Sequence, residues 1–173
     1  IIRPRAGDFV FAPAEVEVMR ADIRAAREMG LPGVVLGASL PDGRLDVAVL
    51  AQLLAEAEDM DVTLHRAIDL APDKGEAVDT AMGLGFRRIL TSGGAFTAPE
   101  GANVLAMMME RVGAACVIMP GSGVTLASLP RTADVAVERD ALMGALQYGH
   151  QIDQALLGRA LGSPFRTPGL DAV

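Results

Sequence analysis

Five short apolar runs, beginning at Ile1, Gly33, Asp61, Arg87 and Ala115, recur along the 173-residue chain at intervals of 26 to 32 residues. Each interval has the length of one strand, one crossover helix and two connections. Helical patterns fill the gaps, over residues 14–29, 47–58, 74–84 and 101–112. Gly30, Gly85 and Gly113 each follow a helical run, where a left-handed C-terminal cap belongs, and Pro13 and Pro99 fit helix starts. The alternation predicts an α/β fold with a parallel sheet and right-handed crossovers.

An open doubly wound sheet and a closed (β/α) barrel share that alternation, so a second feature must separate them. On the run at Asp61, strand alternation sets Asp61, Thr63 and His65 on one face and Val62 and Leu64 on the other. Central strands of a doubly wound sheet are covered on both faces and read as continuously apolar. A polar face near a strand's C-terminal end suits a barrel lumen that opens onto a site. The expectation is therefore a (β/α)8 barrel of the TIM type. Eight such units need about 220 to 250 residues, whereas this chain supplies five clear units and one doubtful sixth. About two N-terminal βα units are expected to be lacking. The chain reads as one domain over residues 1–173, with βα units over 1–130 and an irregular remainder over 131–173. In that remainder, residues 133–137 suit a last strand, 141–161 a long helix or two short ones, and 162–173 a tail.

Composition narrows the function. With 51% hydrophobic residues the chain is too apolar for disorder, and its formal net charge of −7 argues against nucleic acid or an anionic membrane as partner. Cys116 is the only cysteine, so no intramolecular disulfide or cysteine-cluster metal site can form. No apolar stretch is long enough to span a membrane, and the first five residues do not resemble a signal peptide. A cytoplasmic location is expected. Lys74, the only lysine, lies in a polar run that does not suit a Schiff-base nucleophile.

Functional groups of a barrel gather at the C-terminal ends of its strands, and here those ends are polar. Arg3, Arg5 and Asp8 follow the first run, His65, Arg66 and Asp69 the third, Thr91, Ser92 and Gly93 the fourth, and Gly121, Ser122 and Gly123 the fifth. Alternation places Arg3 and Arg5 on one side, where two guanidinium groups can converge on a carboxylate or phosphate. The plainer alternative is ion pairing with Asp8 or with helix acids. His65 suits a general acid/base near neutral pH, oriented by Asp69 or Asp8, with Arg66 stabilising negative charge and Thr63 beside it. Its plainer alternative is a hydrogen-bonded histidine at a strand end, and Asp69 equally suits a turn cap. Gly121-Ser122-Gly123, ahead of an expected helix start at Val124-Thr125, offers backbone N–H groups to an oxyanion, as does Thr91-Ser92-Gly93-Gly94.

Soft metal ligands are sparse, comprising His65, His150, Cys116 and nine methionines. Met107, Met108 and Met109 would point about 100° apart on a helix, and Cys116 reads as core within an apolar strand. These residues specify no copper or zinc ligand set.

The strand ends resemble those of the copper-homeostasis family called CutC. The resemblance is carried by Ile2-Arg3-Pro4-Arg5 with Gly7-Asp8-Phe9, by 33–37, by Thr63-Leu64-His65-Arg66-Ala67-Ile68-Asp69, by Leu90-Thr91-Ser92-Gly93 and by Gly121-Ser122-Gly123-Val124. It is collinear over residues 1–130, about three quarters of the chain. What it implies is a (β/α)8 barrel whose third strand is the first run here, in a cytoplasmic, copper-binding and often dimeric protein linked to copper tolerance. Two departures stand out. The family's last strand ends in a Glu-x-His-x-Ser-Ala type segment, whereas residues 135–141 here lack its His and Ser, and the family's first two strands are absent. Two functions follow as expectations: copper binding within copper homeostasis, and barrel-type acid/base chemistry on a small anionic or phosphorylated metabolite.

Overall fold

The computed structural model describes residues 1–125 and Ser128. Helix α1, Pro13–Glu28, begins on the fixed φ of Pro13, and the Glu15 carboxylate accepts the Ala12 N–H at 2.7 Å. It buries Val16, Met19, Ile23 and Ala26, one stripe at helical spacing, and stops at Gly30, whose φ is +73°. Strand β1, Gly33–Leu36, leads to α2, Val47–Ala57, whose cap Asp46 accepts from the Val49 N–H at 3.0 Å. Strand β2, Asp61–Leu64, runs into a 3-10 turn, Arg66–Leu70, and then α3, Lys74–Gly83, capped by Asp73. Strand β3, Arg88–Thr91, helix α4, Ala102–Val112, and strand β4, Val117–Pro120, complete the order.

The four strands are parallel and lie in chain order, β1-β2-β3-β4. Right-handed crossovers between neighbours taken in order put their helices on one face of the sheet. There Leu36, Leu64, Ile89 and Ile118 join Leu50, Leu53, Val78, Leu105 and Met108 in a single buried cluster. The other face carries Val35, Thr63, Arg88, Leu90 and Met119, most of them only half buried. The fold class is thus the expected α/β with a parallel sheet, and four strands in one layer are what the described residues contain. Among them no helix is long and apolar enough to cross a membrane.

Three expected boundaries moved. No strand forms at Ile1: one backbone bond, Ile2 N–H to the Val35 carbonyl at 2.8 Å, joins that run to β1. Pro4 has no N–H to extend the ladder, and the Arg3 guanidinium closes the chain into a loop by donating to the Gly7 carbonyl at 2.6 Å. Pro99 stands in a turn rather than at a helix start, because the Thr97 carbonyl accepts from both Glu100 and Gly101 before α4 begins. Val124 and Thr125 are not helical: the Thr125 N–H donates to Ser128 Oγ at 2.7 Å and the Ser128 N–H donates to Thr125 Oγ1 at 3.2 Å. The expected elements at 133–137, 141–161 and 162–173, with His150, lie outside the described residues.

Candidate functional site

At the C-terminal end of β2 the chain tightens into the 3-10 turn, and this turn aims Asp69 at the loop after β3. The carboxylate, 8% exposed, accepts from the Thr91 hydroxyl (2.5 Å), the Ser92 N–H (3.1 Å), the Ser92 hydroxyl (3.1 Å) and the Gly94 N–H (3.0 Å). Arg66 Nε closes the shell at 2.7 Å. Burial raises the Asp69 pKa, but the bonds from Thr91, Arg66, Ser92 and Gly94 together outweigh it and hold the carboxyl below its ordinary value. The Thr91-Ser92-Gly93-Gly94 loop was expected to hold an external oxyanion, and its donors are instead turned onto Asp69. Gly93, whose own N–H goes to Thr91 Oγ1, has φ +71°, and Gly94 has φ +79°. This succession of N–H groups is an anion-binding nest, and the chain supplies the anion itself.

Arg66 is committed to the same network. Besides Asp69 it donates to Ser92 Oγ at 2.6 Å and to the Ala95 carbonyl at 3.3 Å. Gly121, Ser122 and Gly123 after β4 are likewise tied in: the Gly121 N–H donates to the Thr91 carbonyl at 2.8 Å, the Ser122 carbonyl accepts from Ala98, and the Ser122 hydroxyl donates to the Phe96 carbonyl. The loops after β2, β3 and β4 form one hydrogen-bonded floor.

His65 lies beside this floor, 3% exposed. Neither Asp69 nor Asp8 orients it. The Ala67 N–H donates to Nδ1 at 3.1 Å, and Nε2 is buried without a partner. Burial pushes its pKa down to about 4, with the Arg3 charge adding to the effect. The expected proton exchange near neutral pH therefore gives way to a neutral imidazole. Because Nδ1 accepts a bond, the proton sits on Nε2.

Arg3 and Arg5 do not converge. Arg5 pairs with Asp8 (2.8 Å) and Glu15 (2.5 Å), and the bond it makes holds Asp8 below the ordinary carboxylate range. That is the plainer alternative named above. Arg3 is held by the carbonyls of Arg5 and Gly7 and lies 4.6 Å from the Phe9 ring centre, and no described carboxylate neutralises it. The Phe9 ring in turn packs 4.6 Å from that of His65. Thr63 stands deeper in the sheet, where its hydroxyl accepts from Arg88 at 3.2 Å while Arg88 also pairs with Asp61 at 2.8 Å. Arg88 was not foreseen, although an acid and a base near the starts of adjacent parallel strands are a readable signal. The described residues contain no group of three His, Cys, Asp or Glu side chains fit for a metal. Cys116 is buried and bonded to the Val117 carbonyl, and Met108 is buried while Met107 is exposed.

Taken together these features define a parallel α/β protein with a polar site at its strand ends. The chain belongs to the CutC family, whose model matches residues 1–154. A CutC family protein of Rhizobium meliloti (strain 1021) is 58% identical over 125 residues, which cover 72% of this chain and 51% of that protein. One from Xylella fastidiosa (strain Temecula1) is 37% identical over 163 residues, 94% of this chain and 58% of the relative. The chain thus spans about half the length of such relatives. Among solved structures, a Streptococcus agalactiae protein described as a copper homeostasis protein, CutC, matches with a TM-score of 0.75 at 30% identity, covering 79% of this chain and 67% of that one.

Proposed function

We propose that the chain forms part of a cytoplasmic, homodimeric (β/α)8 barrel whose strand-end pocket binds a small anionic molecule. The observation that carries this reading is Arg3. Arg5 and Arg66 are each matched by a carboxylate, whereas Arg3 is held by carbonyls and by the face of Phe9, with no described acid to neutralise it. A guanidinium fixed in this way retains donors and charge for a carboxylate or phosphate. The sequential strand order of the described residues supports the barrel, because a doubly wound sheet reverses its order at a switch point. The test is titration with inorganic phosphate and with pyruvate, followed by calorimetry. Arg3→Ala should weaken binding of whichever anion binds by about tenfold, the worth of one charge-assisted bond; an unchanged affinity in a folded variant sinks the reading.

A second reading, copper binding, is favoured by the family and by the description of the Streptococcus agalactiae neighbour. The described residues do not fit it. Among the described residues Cys116 is locked in the core, His65 is buried, and no three His, Cys, Asp or Glu side chains converge. Titration with Cu(I) under reducing conditions decides, and binding no stronger than that of a competing chelator removes copper binding from this chain.

A further inference from the structure

Two buried side-chain atoms among the described residues lack a hydrogen-bond partner, and both belong to residues that border Phe9. One is His65 Nε2, whose ring packs on the Phe9 ring. The other is the hydroxyl of Ser39, a residue 2% exposed whose backbone N–H donates to the Phe9 carbonyl at 2.9 Å. Leaving such a group unpaired costs about 1–3 kcal/mol, and such exceptions call for an occupant.

The histidine is also clamped. A Cβ at Gly37 would stand 2.5 Å from His65 Cε1 and from Nδ1, so the Nδ1–Cε1 edge of the ring lies flat against bare backbone. The Ala67 N–H holds Nδ1 on that same side. Both contacts fix the ring and leave the Nε2 side as the one without a protein partner. A proton-transferring histidine is oriented by an acceptor for its second N–H, and here Nδ1 instead accepts from Ala67, while Asp8 is taken by Arg5 and Asp69 by Thr91, Ser92, Gly94 and Arg66.

Resting on the anion-pocket reading above, we infer that His65 Nε2–H and the Ser39 hydroxyl form a fixed, donor-bearing seat beneath Phe9 for the sp2 oxygen of a small carboxylate or 2-oxo acid whose charge Arg3 matches. In this seat His65 polarises a carbonyl as a neutral donor and does not accept a proton from the ligand. The arrangement obeys a general rule: a neutral imidazole whose tautomer is fixed can polarise a carbonyl as a hydrogen-bond donor, without the charge of an imidazolium.

The test joins NMR of the full chain, labelled with 15N at histidine in a His150→Gln background, to titration with pyruvate. The expected free state has Nε2 protonated and Nδ1 bare throughout pH 5.5 to 8, and pyruvate shifts the Nε2–H resonance and slows its exchange. Ser39→Ala, which removes a hydroxyl that bonds nothing, should keep or raise Tm and weaken pyruvate binding about fivefold, roughly one neutral hydrogen bond. A ring that titrates near pH 6.5, or that carries its proton on Nδ1, overturns the inference. So does pyruvate binding that leaves His65 and the Ser39→Ala affinity untouched, or a lowered Tm in Ser39→Ala, which would mean the seat holds only structural water. Those outcomes leave the Arg3 reading standing; failure of pyruvate and phosphate to bind at all removes both.

Discussion

Asp69 shows how a single residue changes meaning between sequence and structure. As a carboxylate four positions after a strand-end histidine it reads as that histidine's partner, and in the fold it serves a loop 22 to 25 residues away. Its partners come from another βα unit, and such long-range convergence is invisible to spacing. Asp69→Asn must turn its NH2 group either toward the Ser92 and Gly94 N–H donors on one side of the carboxylate or toward the Arg66 guanidinium on the other, and should cost about 2–4 kcal/mol in urea unfolding. Asp69→Ala should be partly rescued by acetate, which can occupy the nest: added acetate should raise the Tm of the variant and not of the wild type. His65 gives the pH dependence. Its native pKa of about 4 lies below the ordinary 6.5, so between these values the unfolded chain binds the proton and the native state does not. Stability is therefore full above pH 6.5 and falls as pH drops toward 4, by up to about 3 kcal/mol. Asp69, lowered from 3.8, adds its own loss only further down. Unfolding free energies from urea titrations at pH 7 and 4.5 should differ by about 2.5 kcal/mol in the wild type and much less in His65→Gln.

Elements were legible where their signals are local. The stops at Gly30 and Gly85, with φ of +73° and +94°, need only a few consecutive residues, and the helices ended within a residue of expectation. The failures at Ile1, Pro99 and Val124 are equally local in cause, since a proline or a Thr-x-x-Ser pair marks a turn as readily as a helix end. The loop between β3 and α4 is where element geometry meets the site. A Cβ at Gly101 would lie 1.9 Å from the Ser92 carbonyl oxygen, and backbone cannot yield as a side-chain tip can. Gly101→Ala must therefore push Ser92 away from Asp69, at a cost of about 1–3 kcal/mol. Gly83, inside α3, meets nothing within 4 Å, so Gly83→Ala should be stabilising by about 0.5–1 kcal/mol. Equal effects of the two substitutions on thermal unfolding would show that backbone contact at Ser92 does not govern this loop.

At the scale of the whole molecule the question is what covers the second face of the sheet. Among the described residues the helices take one face, and Val35, Leu90 and Met119 on the other are half-buried apolar groups. In a parallel sheet, exposing that face forfeits about 25 cal/mol for each Å² of apolar surface left in water. Closure into a ring turns one side-chain face of every strand inward, stacked in layers drawn from alternate strands, and Val35, Thr63, Arg88 and Val117 share that face in register. The Arg88 bridge to Asp61 and Thr63 fits this role, because a charge turned into a lumen must carry its partners with it. Methionine oxidation reads the difference directly. Met29, 71% exposed, should react quickly with hydrogen peroxide, and Met19 and Met108 in the helix-covered core slowly. If the sheet closes, Met119 belongs with the slow pair; if it oxidises at the rate of Met29, the inner face is open to water and the barrel is wrong.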